Sequence, residues 1–155
     1  MSIFDEMVPV GKKFVSPGRT IGEGEFSLLT TLTWTTSEIH SNAEYMKDTQ
    51  FGERILAGPC VLALLIGLAG RGPFQHVLRQ DGLHTIAMLG MDEVRFKNPM
   101  LPGDTITAHS EVLEVRPSNK NPKRAVIRIK DSAVNQKGEL LVEAIRASMV
   151  ELKEG

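Results

Sequence analysis

The sequence contains little cysteine and almost no net charge. Its 155 residues include one cysteine, Cys60, so an intramolecular disulfide framework is excluded. Lysine and arginine number 18 and aspartate and glutamate 19, which leaves a net charge of −1 and no basic field for a nucleic-acid partner. The N-terminus places acids before its first lysines and lacks an apolar segment. We therefore expect no signal peptide and a cytoplasmic location.

No hydrophobic run is long enough to span a membrane. The longest, residues 57–70, has no charged or polar side chain, but a membrane span needs about 20 residues. Pro59 suits a first helical turn, and the run lacks the alternation of a half-buried strand. We predict one helix, apolar on all sides, that must be surrounded by protein.

Two shorter helices are predicted before this run, after a lead-in of about twenty extended residues. Residues 23–33 leave two alternatives, because three threonines favour a strand whereas apolar residues three and four apart favour a helix. A capping box from Thr20 to Glu23 favours the short helix. Asn42 is a suitable N-cap for another helix over residues 43–48.

After residue 70 the pattern is typical of β-structure. The predicted strands are residues 86–96, 105–115, 125–134 and 140–152. Short turns rich in proline, glycine and asparagine join the later strands, so these should pair antiparallel. No repeat or linker divides the chain, which predicts one domain over residues 1–155. One apolar helix beside such a sheet predicts an α+β fold with the sheet wrapped around the helix. Its open edges predict a homodimer or higher homo-oligomer.

Two features around the apolar helix are suited to chemistry. His40 lies in a polar segment, and histidine changes its charge near neutral pH, so it can move protons, although a loop histidine can also be only a hydrogen-bonded surface residue. Gly58 lies at the predicted helix start, between Ala57 and Pro59. A helix start offers unpaired N–H groups and a positive dipole end that can polarise a carbonyl oxygen.

A local basic cluster is a candidate phosphate site, although such a turn can also simply be solvated. Its members are Arg116, Lys120, Lys123 and Arg124. The other histidines lack metal-ligand spacing, so no metal site is expected; they are His76, His84 and His109. Cys60 lies inside the apolar run and is predicted to be a buried, inert thiol.

Two stretches of the chain resemble the MaoC-like dehydratases, relatives of the (R)-specific enoyl-CoA hydratases. They are TTLTWTTSEIHSNAEYMKDTQFGERILAGPCVLALLIGLAG and DEVRFKNPMLPGDTITAHSEVLEVRPS. The shared motifs are His-x-Asn-x-Glu-Tyr, Phe-Gly-x-Arg-Ile, a glycine at a helix start and Pro-Gly-Asp-Thr. The resemblance covers residues 11–152. It implies a hot-dog fold, an antiparallel sheet wrapped around one central apolar helix and usually dimerised.

The resemblance also implies a catalytic pair, from which this sequence departs. The family has a histidine and, five residues before it, an aspartate; His40 matches the histidine, but Thr35 stands at the aspartate position. Ser37, Glu38 and Ala57 replace a common asparagine, proline and histidine. A threonine hydroxyl is not ionised near neutral pH, so Thr35 is expected only to hold a water or orient His40. Glu38 is a candidate substitute acid, because residues two apart in an extended loop point the same way.

The implied activity is reversible hydration of a 2-enoyl-CoA thioester to a 3-hydroxyacyl-CoA. Gly58 would bind the thioester carbonyl, His40 would move the proton, and Thr35 and Ser37 would position the water. The substrate would contact Ala57, Leu62, Leu65, Lys120, Lys123 and Arg124, the last three through the phosphates. No separate cofactor is expected, since CoA is part of the substrate. Two alternatives are an acyl-CoA thioesterase on the same fold and a non-catalytic acyl-thioester-binding protein.

Overall fold

One antiparallel sheet with a long helix across it makes up most of the molecule. The structure, a computed structural model, describes residues 2–80 and 82–153. The helices are α1 (Ile3–Met7), α2 (Glu23–Leu32), α3 (Glu38–Ser41), α4 (Ala43–Lys47), α5 (Gly58–Arg71) and α6 (Pro73–Gln80). The strands are β1 (Lys13–Val15), β2 (Arg19–Thr20), β3 (Leu83–Phe96), β4 (Thr105–Pro117), β5 (Arg124–Asn135) and β6 (Leu140–Leu152).

The sheet has the order β1-β4-β5-β6-β3, and β2 also pairs with β4. All of these pairs are antiparallel, as the short turns predicted. Every second residue of β5 from Ala125 to Asn135 is buried, which identifies the inner face of the sheet. Helix α5 packs on β4, β5 and β6. The predicted α+β class is confirmed.

The central helix α5 is only partly enclosed within the single chain. Its buried residues are Cys60, Val61, Leu65 and Ala69. Three small residues of the same helix are exposed: Ala63, Gly67 and Gly70. The prediction that protein surrounds this helix on every side is therefore wrong for one chain. A single sheet covers one side, and small residues elsewhere on the helix limit the apolar area left in water.

Three helices, α1, α3 and α6, lie where none was predicted. In the lead-in, Ser2 and Asp5 form a capping box that starts α1: the Asp5 carboxylate accepts from the Ser2 N–H at 2.6 Å, and the Asp5 N–H donates to the Ser2 hydroxyl. Helix α6 follows α5 directly and buries Phe74 and Leu78. Helices α1 and α6 both cover one end of the inner face, and their stability depends on packing against the finished sheet rather than on local pattern.

The helical alternative for residues 23–33 is confirmed by α2, but its predicted cap is wrong. The Thr20 hydroxyl lies 2.6 Å from that of Thr105 in the neighbouring strand, and Gly22 is the N-cap, without a side-chain bond. The Asn42 prediction is confirmed, since its side chain accepts from the Tyr45 N–H at 3.0 Å. Helix capping was thus predictable where no strand competed for the capping side chain.

The inner face carries two hydrophobic clusters separated by a buried ion pair. The first cluster includes Phe26, Leu65 and Ala133, and the second includes Phe74, Leu83 and Ile129. Between Ile129 and Ala133 on the same face of β5 lies Asp131, whose carboxylate bonds the Arg146 guanidinium. Both side chains are almost completely buried. Each charge is therefore tolerated only because the other is present.

Strand β3 forms an outer edge of the sheet and exposes large apolar side chains. These include Ile86, Met88 and Leu89. The dimer predicted from the open edges would have this surface available, and it stays a prediction.

Within residues 2–80 and 82–153, no single helix is long and apolar enough to cross a membrane, although the bent pair of α5 and residues Phe74–Gln80 together satisfies the same criterion of length and composition.

Candidate active site

A pocket of about 400 Å³ opens where the start of α5 meets the end of β3. Three of its lining residues have polar side chains, namely His40, Lys97 and Asn98. The others are Phe51, Ile55, Leu56, Gly58, Pro59, Val61, Phe96, Pro99, Met100 and Leu141. An apolar pocket with a few polar groups is typical of a small-molecule site. Here it contains both the histidine and the helix start singled out from the sequence.

His40 is held in one tautomer by a backbone carbonyl. Its Nδ1 lies 2.7 Å from the Ile55 carbonyl oxygen. A carbonyl can only accept, so Nδ1 carries the proton, and in the neutral ring Nε2 carries the lone pair. Among the described residues, Nε2 has no hydrogen-bond partner. This nitrogen is therefore the one available to take up a proton from a bound molecule.

The segment that supplies this carbonyl is tied to three other elements. The Ile55 N–H donates to the Ile39 carbonyl at 3.2 Å, and the Leu56 N–H donates to the Met100 carbonyl at 2.9 Å. One residue earlier, Arg54 donates to both carboxylate oxygens of Glu23 at 2.5 and 2.6 Å. These hydrogen bonds hold the pKa of Glu23 below its usual value, with a further contribution from Ser27.

Helix α5 presents one free backbone donor at its start. The N–H groups of Cys60 and Val61 both donate to the Ala57 carbonyl, at 2.9 and 3.1 Å. Pro59 has no N–H. Within the part of the chain that the structure describes, the Gly58 N–H has no partner. The helix dipole therefore acts through a single donor in the first turn, and Gly58 lines the pocket.

Gly58 also lies against an aromatic ring. A Cβ placed on it would come within 2.8 Å of Phe96 Cε1 and 2.9 Å of Cδ1. Such a contact is far inside van der Waals distance, so any larger residue requires Phe96 to move. The Phe96 side chain is 53% exposed and lines the pocket. Glycine at this position thus lets the Phe96 ring lie against the backbone beside the free N–H.

The structure places Thr35 in a hydroxyl cluster instead of the pocket lining. The Thr33 hydroxyl donates to the Leu29 carbonyl at 2.6 Å. Because that uses its only proton, the 2.9 Å contact between Thr33 and Thr35 requires Thr35 to donate. The Cys60 sulfur lies 3.3 Å from Thr33 and 4.0 Å from Thr35. Thr35 therefore keeps only acceptor lone pairs for any further contact.

Four further residues predicted for the site do not line the pocket with His40 and Gly58. Ser37 and Glu38 are exposed at the start of α3. The expectation that Glu38 and His40 point the same way is wrong, because this segment is helical and residues two apart in a helix point to nearly opposite sides. Ala57 contributes its carbonyl to α5. Leu65, on the sheet-facing side of α5, is buried in the core.

The structure does not bring the basic cluster to the pocket within one chain. Lys120, Lys123 and Arg124 lie in or after the turn between β4 and β5, and the Arg124 Nε bonds the Glu151 carboxylate at 2.7 Å. The pocket contains Leu141 at the other end of β6, ten residues from Glu151. At about 3.4 Å per residue, Leu141 in the pocket and Glu151 beside the basic cluster are roughly 34 Å apart along the strand.

Lys97 is the cation that sequence reasoning missed. It lines the pocket, and it forms no ion pair with any residue in 2–80 or 82–153. Nothing in the sequence around Lys97 indicates that it lines the pocket, because its distance from Gly58 is set by how β3 crosses α5.

The predicted substrate contact Leu62 packs against the core and does not line the pocket. The described residues contain no group of three potential metal ligands.

A long antiparallel sheet laid over one central helix defines a hot-dog domain. A Mycobacterium tuberculosis protein described as having a double hot-dog fold has a TM-score of 0.79 at 17% identity, covering 98% of this chain and 46% of that chain. The hot-dog fold is confirmed.

Residues 5–134 match the model of the MaoC-like domain, and the chain belongs to that family. A β-methylmalyl-CoA dehydratase of Chloroflexus aurantiacus is 29% identical over 132 residues, or 85% of this chain. The chain spans 35% of the length of that relative. The R-hydratase PhaJ1 of Pseudomonas aeruginosa is 26% identical with a TM-score of 0.67, covering 96% of this chain and 84% of that chain. The predicted family resemblance is confirmed.

Proposed function

We propose that this protein catalyses reversible hydration of a 2-enoyl-CoA thioester to a 3-hydroxyacyl-CoA. The observation that carries the proposal is one pocket lined by both the Gly58 helix start, with its free N–H, and His40, with its free Nε2. One group is a donor and the other a base, which is the pair that addition of water beside a carbonyl needs. Membership of a family whose relatives include dehydratases and hydratases supports it.

In the proposed mechanism the Gly58 N–H binds the thioester oxygen. This hydrogen bond and the dipole of α5 stabilise the negative charge that develops on the oxygen as water adds at C3. His40 Nε2 takes a proton from the water, the new C3–O bond forms, and the resulting imidazolium returns a proton to C2. The Ile55 carbonyl stabilises the charged ring during this step, because it accepts from Nδ1–H in both states.

We infer that the apolar lining holds the acyl group and that Lys97 attracts an anionic part of the substrate. A phosphate of CoA is one such group, and a second carboxylate on the acyl chain is another. The β-methylmalyl-CoA dehydratase is named for a CoA thioester with a second carboxylate. Unbranched and dicarboxylic enoyl-CoA thioesters are therefore both first choices as substrates.

Purified protein is expected to consume the enoyl absorbance of at least one such thioester and to form the 3-hydroxyacyl product. Parallel measurement of free thiol separates the alternatives, because hydration releases none. Thiol release without hydration would assign the protein as a thioesterase instead. Tight binding of the thioesters with neither reaction would assign it as an acyl-thioester-binding protein, which the absence of a carboxylate at Thr35 makes a real alternative.

The Gly58→Ala variant is expected to lose at least tenfold in hydration rate. The added methyl group collides with Phe96 and disturbs the place where the thioester oxygen is bound; loss of one such donor typically costs about 10²–10³-fold. Because the Phe96 ring is half-exposed and can rotate, the melting temperature should change little.

Gly67→Ala is the matched control for Gly58→Ala. This glycine lies in the middle of the same helix, and a Cβ there would meet nothing within 4 Å. We expect it to raise stability by up to about 1 kcal/mol through helix propensity and to leave the rate unchanged. Equal rate losses in both variants would contradict a specific role for Gly58.

A further inference from the structure

We propose that the Glu23–Arg54 ion pair positions His40 for the reaction by fixing the backbone carbonyl that holds its ring. The inference rests on the proposed function, in which His40 Nε2 moves the proton. Neither residue touches the substrate in that mechanism, so both are positioning residues. Their effect passes through Ile55, which follows Arg54 directly and whose carbonyl accepts from Nδ1 at 2.7 Å.

Arg54 is held on two sides by helix α2. Both carboxylate oxygens of Glu23 accept from it, and the guanidinium carbon lies 5.3 Å from the centroid of the Phe26 ring. Phe26 is completely buried, whereas the Arg54 side chain is 18% exposed. A guanidinium between a carboxylate and an aromatic face has little freedom to move. Glu23 is further restrained by Ser27, whose hydroxyl donates to it at 2.9 Å.

The chain before Ile55 depends on this anchor. Gly52 has a positive φ of 73°, and Glu53 is exposed, so residues 52 and 53 add no packing to the core. On the far side, Leu56 is fixed by its hydrogen bond to Met100. Ile55 thus lies between the Leu56 backbone bond and the Arg54 side chain, and its own N–H donates to the Ile39 carbonyl at 3.2 Å. Without the Arg54 anchor, only these two backbone hydrogen bonds hold the carbonyl that sets the His40 tautomer.

The same helix turn provides a matched control. Glu25 of α2 forms an ion pair with Arg19, which lies in β2 and does not line the pocket. Glu25 and Glu23 thus lie in the same helix turn, and each forms an ion pair with its own arginine. Only the Glu23 pair leads to Ile55 and His40. A general loss of helix stability would affect both, whereas a positioning effect would follow only Glu23.

The experiment compares Glu23→Gln, Arg54→Met and Arg54→Lys with Glu25→Gln. Nitrogen NMR of the imidazole ring shows which nitrogen carries the proton, and this readout does not depend on turnover. In the wild type at a pH where the ring is neutral, we expect the proton on Nδ1. In Glu23→Gln and Arg54→Met we expect a mixture of tautomers, with Arg54→Lys intermediate and Glu25→Gln like the wild type.

Kinetics on whichever enoyl-CoA is hydrated gives the second readout. We expect Glu23→Gln and Arg54→Met to lower kcat at least tenfold with KM within about twofold, because a small misplacement of a catalytic group slows the chemical step. Glu25→Gln should leave both constants unchanged. If Arg54→Met does not fold, Glu23→Gln still decides the question, since it keeps the shape of the side chain and removes only its charge.

Three results would overturn the inference. They are a wild-type proton on Nε2, a tautomer that stays on Nδ1 in Glu23→Gln, and equal kcat losses in Glu23→Gln and Glu25→Gln. Failure of the proposed function looks different. In that case no thioester is hydrated, but the NMR result still shows whether the ion pair fixes the tautomer of the His40 ring.

Discussion

Hydration of enoyl-CoA is expected to fall about a thousandfold in His40→Ala, within the 10²–10⁴-fold range of general acid–base catalysis. The loss should be this large because the described residues that line the pocket include no second histidine and no carboxylic acid. The resemblance implies an aspartate as a second catalytic group, and Thr35, which stands at that position, cannot ionise near neutral pH. The measurement is kcat on the best thioester from the substrate panel, with folding checked by thermal denaturation.

Two further variants distinguish a role of His40 in proton transfer from a purely structural role. In His40→Gln the amide can still donate to the Ile55 carbonyl but cannot take up a proton, so the rate should fall as far as in the alanine variant. His109→Ala is the control, because His109 is exposed on β4 and does not line the pocket. A His40→Gln rate within about threefold of the wild type would contradict the role of His40 as the base.

Asp131→Ala is expected to lower the free energy of unfolding by about 3–5 kcal/mol, which is the usual cost of leaving one charge of a buried pair alone. The side chains of Arg146 and Asp131 are 5% and 0% exposed, and Nε and Oδ2 are 2.6 Å apart. The Ser110 hydroxyl donates to Asp131 at 2.6 Å. Urea denaturation measures the loss, which should lower Tm by about 10 °C.

The neighbouring Lys130–Glu143 pair provides the control for this prediction. It joins the same two strands at 3.1 Å, but its side chains are 46% and 23% exposed, so Lys130→Ala should cost less than about 1 kcal/mol. The double variant Asp131→Leu, Arg146→Met removes both buried charges and should recover most of the lost stability. Equal costs for Asp131→Ala and Lys130→Ala would contradict the special role of the buried pair.

The strands of this protein were largely predictable from its sequence. Residues 140–152 match β6, and the other predicted strands differ from β3, β4 and β5 only at their ends. Alternation such as that of Ile127 and Ile129 with charged residues reflects burial of one face, which is a local property. Helix α6 was missed for the opposite reason, because it owes its stability to Phe74 and Leu78 packing beneath the finished sheet.

The candidate site divides in the same way. The sequence pointed to His40 and Gly58, since a histidine before a helix start and a glycine at it are recognisable by type and position. It could not indicate that Lys97 shares their pocket, that the basic turn at Lys120 lies at the other end of the sheet, or that Arg54 reaches Glu23. These distances depend on how strands and helices cross, and residue spacing along the chain does not contain that information.

By itself, then, the sequence determined the class of fold, the family and two residues that line one pocket, His40 and Gly58, because hydrophobic periodicity and motif spacing are properties of the chain. Only the tertiary structure decided which ring nitrogen of His40 carries the proton and which backbone N–H at the start of α5 is free. The first depends on one hydrogen bond between residues that folding brings together, His40 and Ile55. The second depends on where the helix begins, since the Cys60 and Val61 N–H groups both donate to the Ala57 carbonyl.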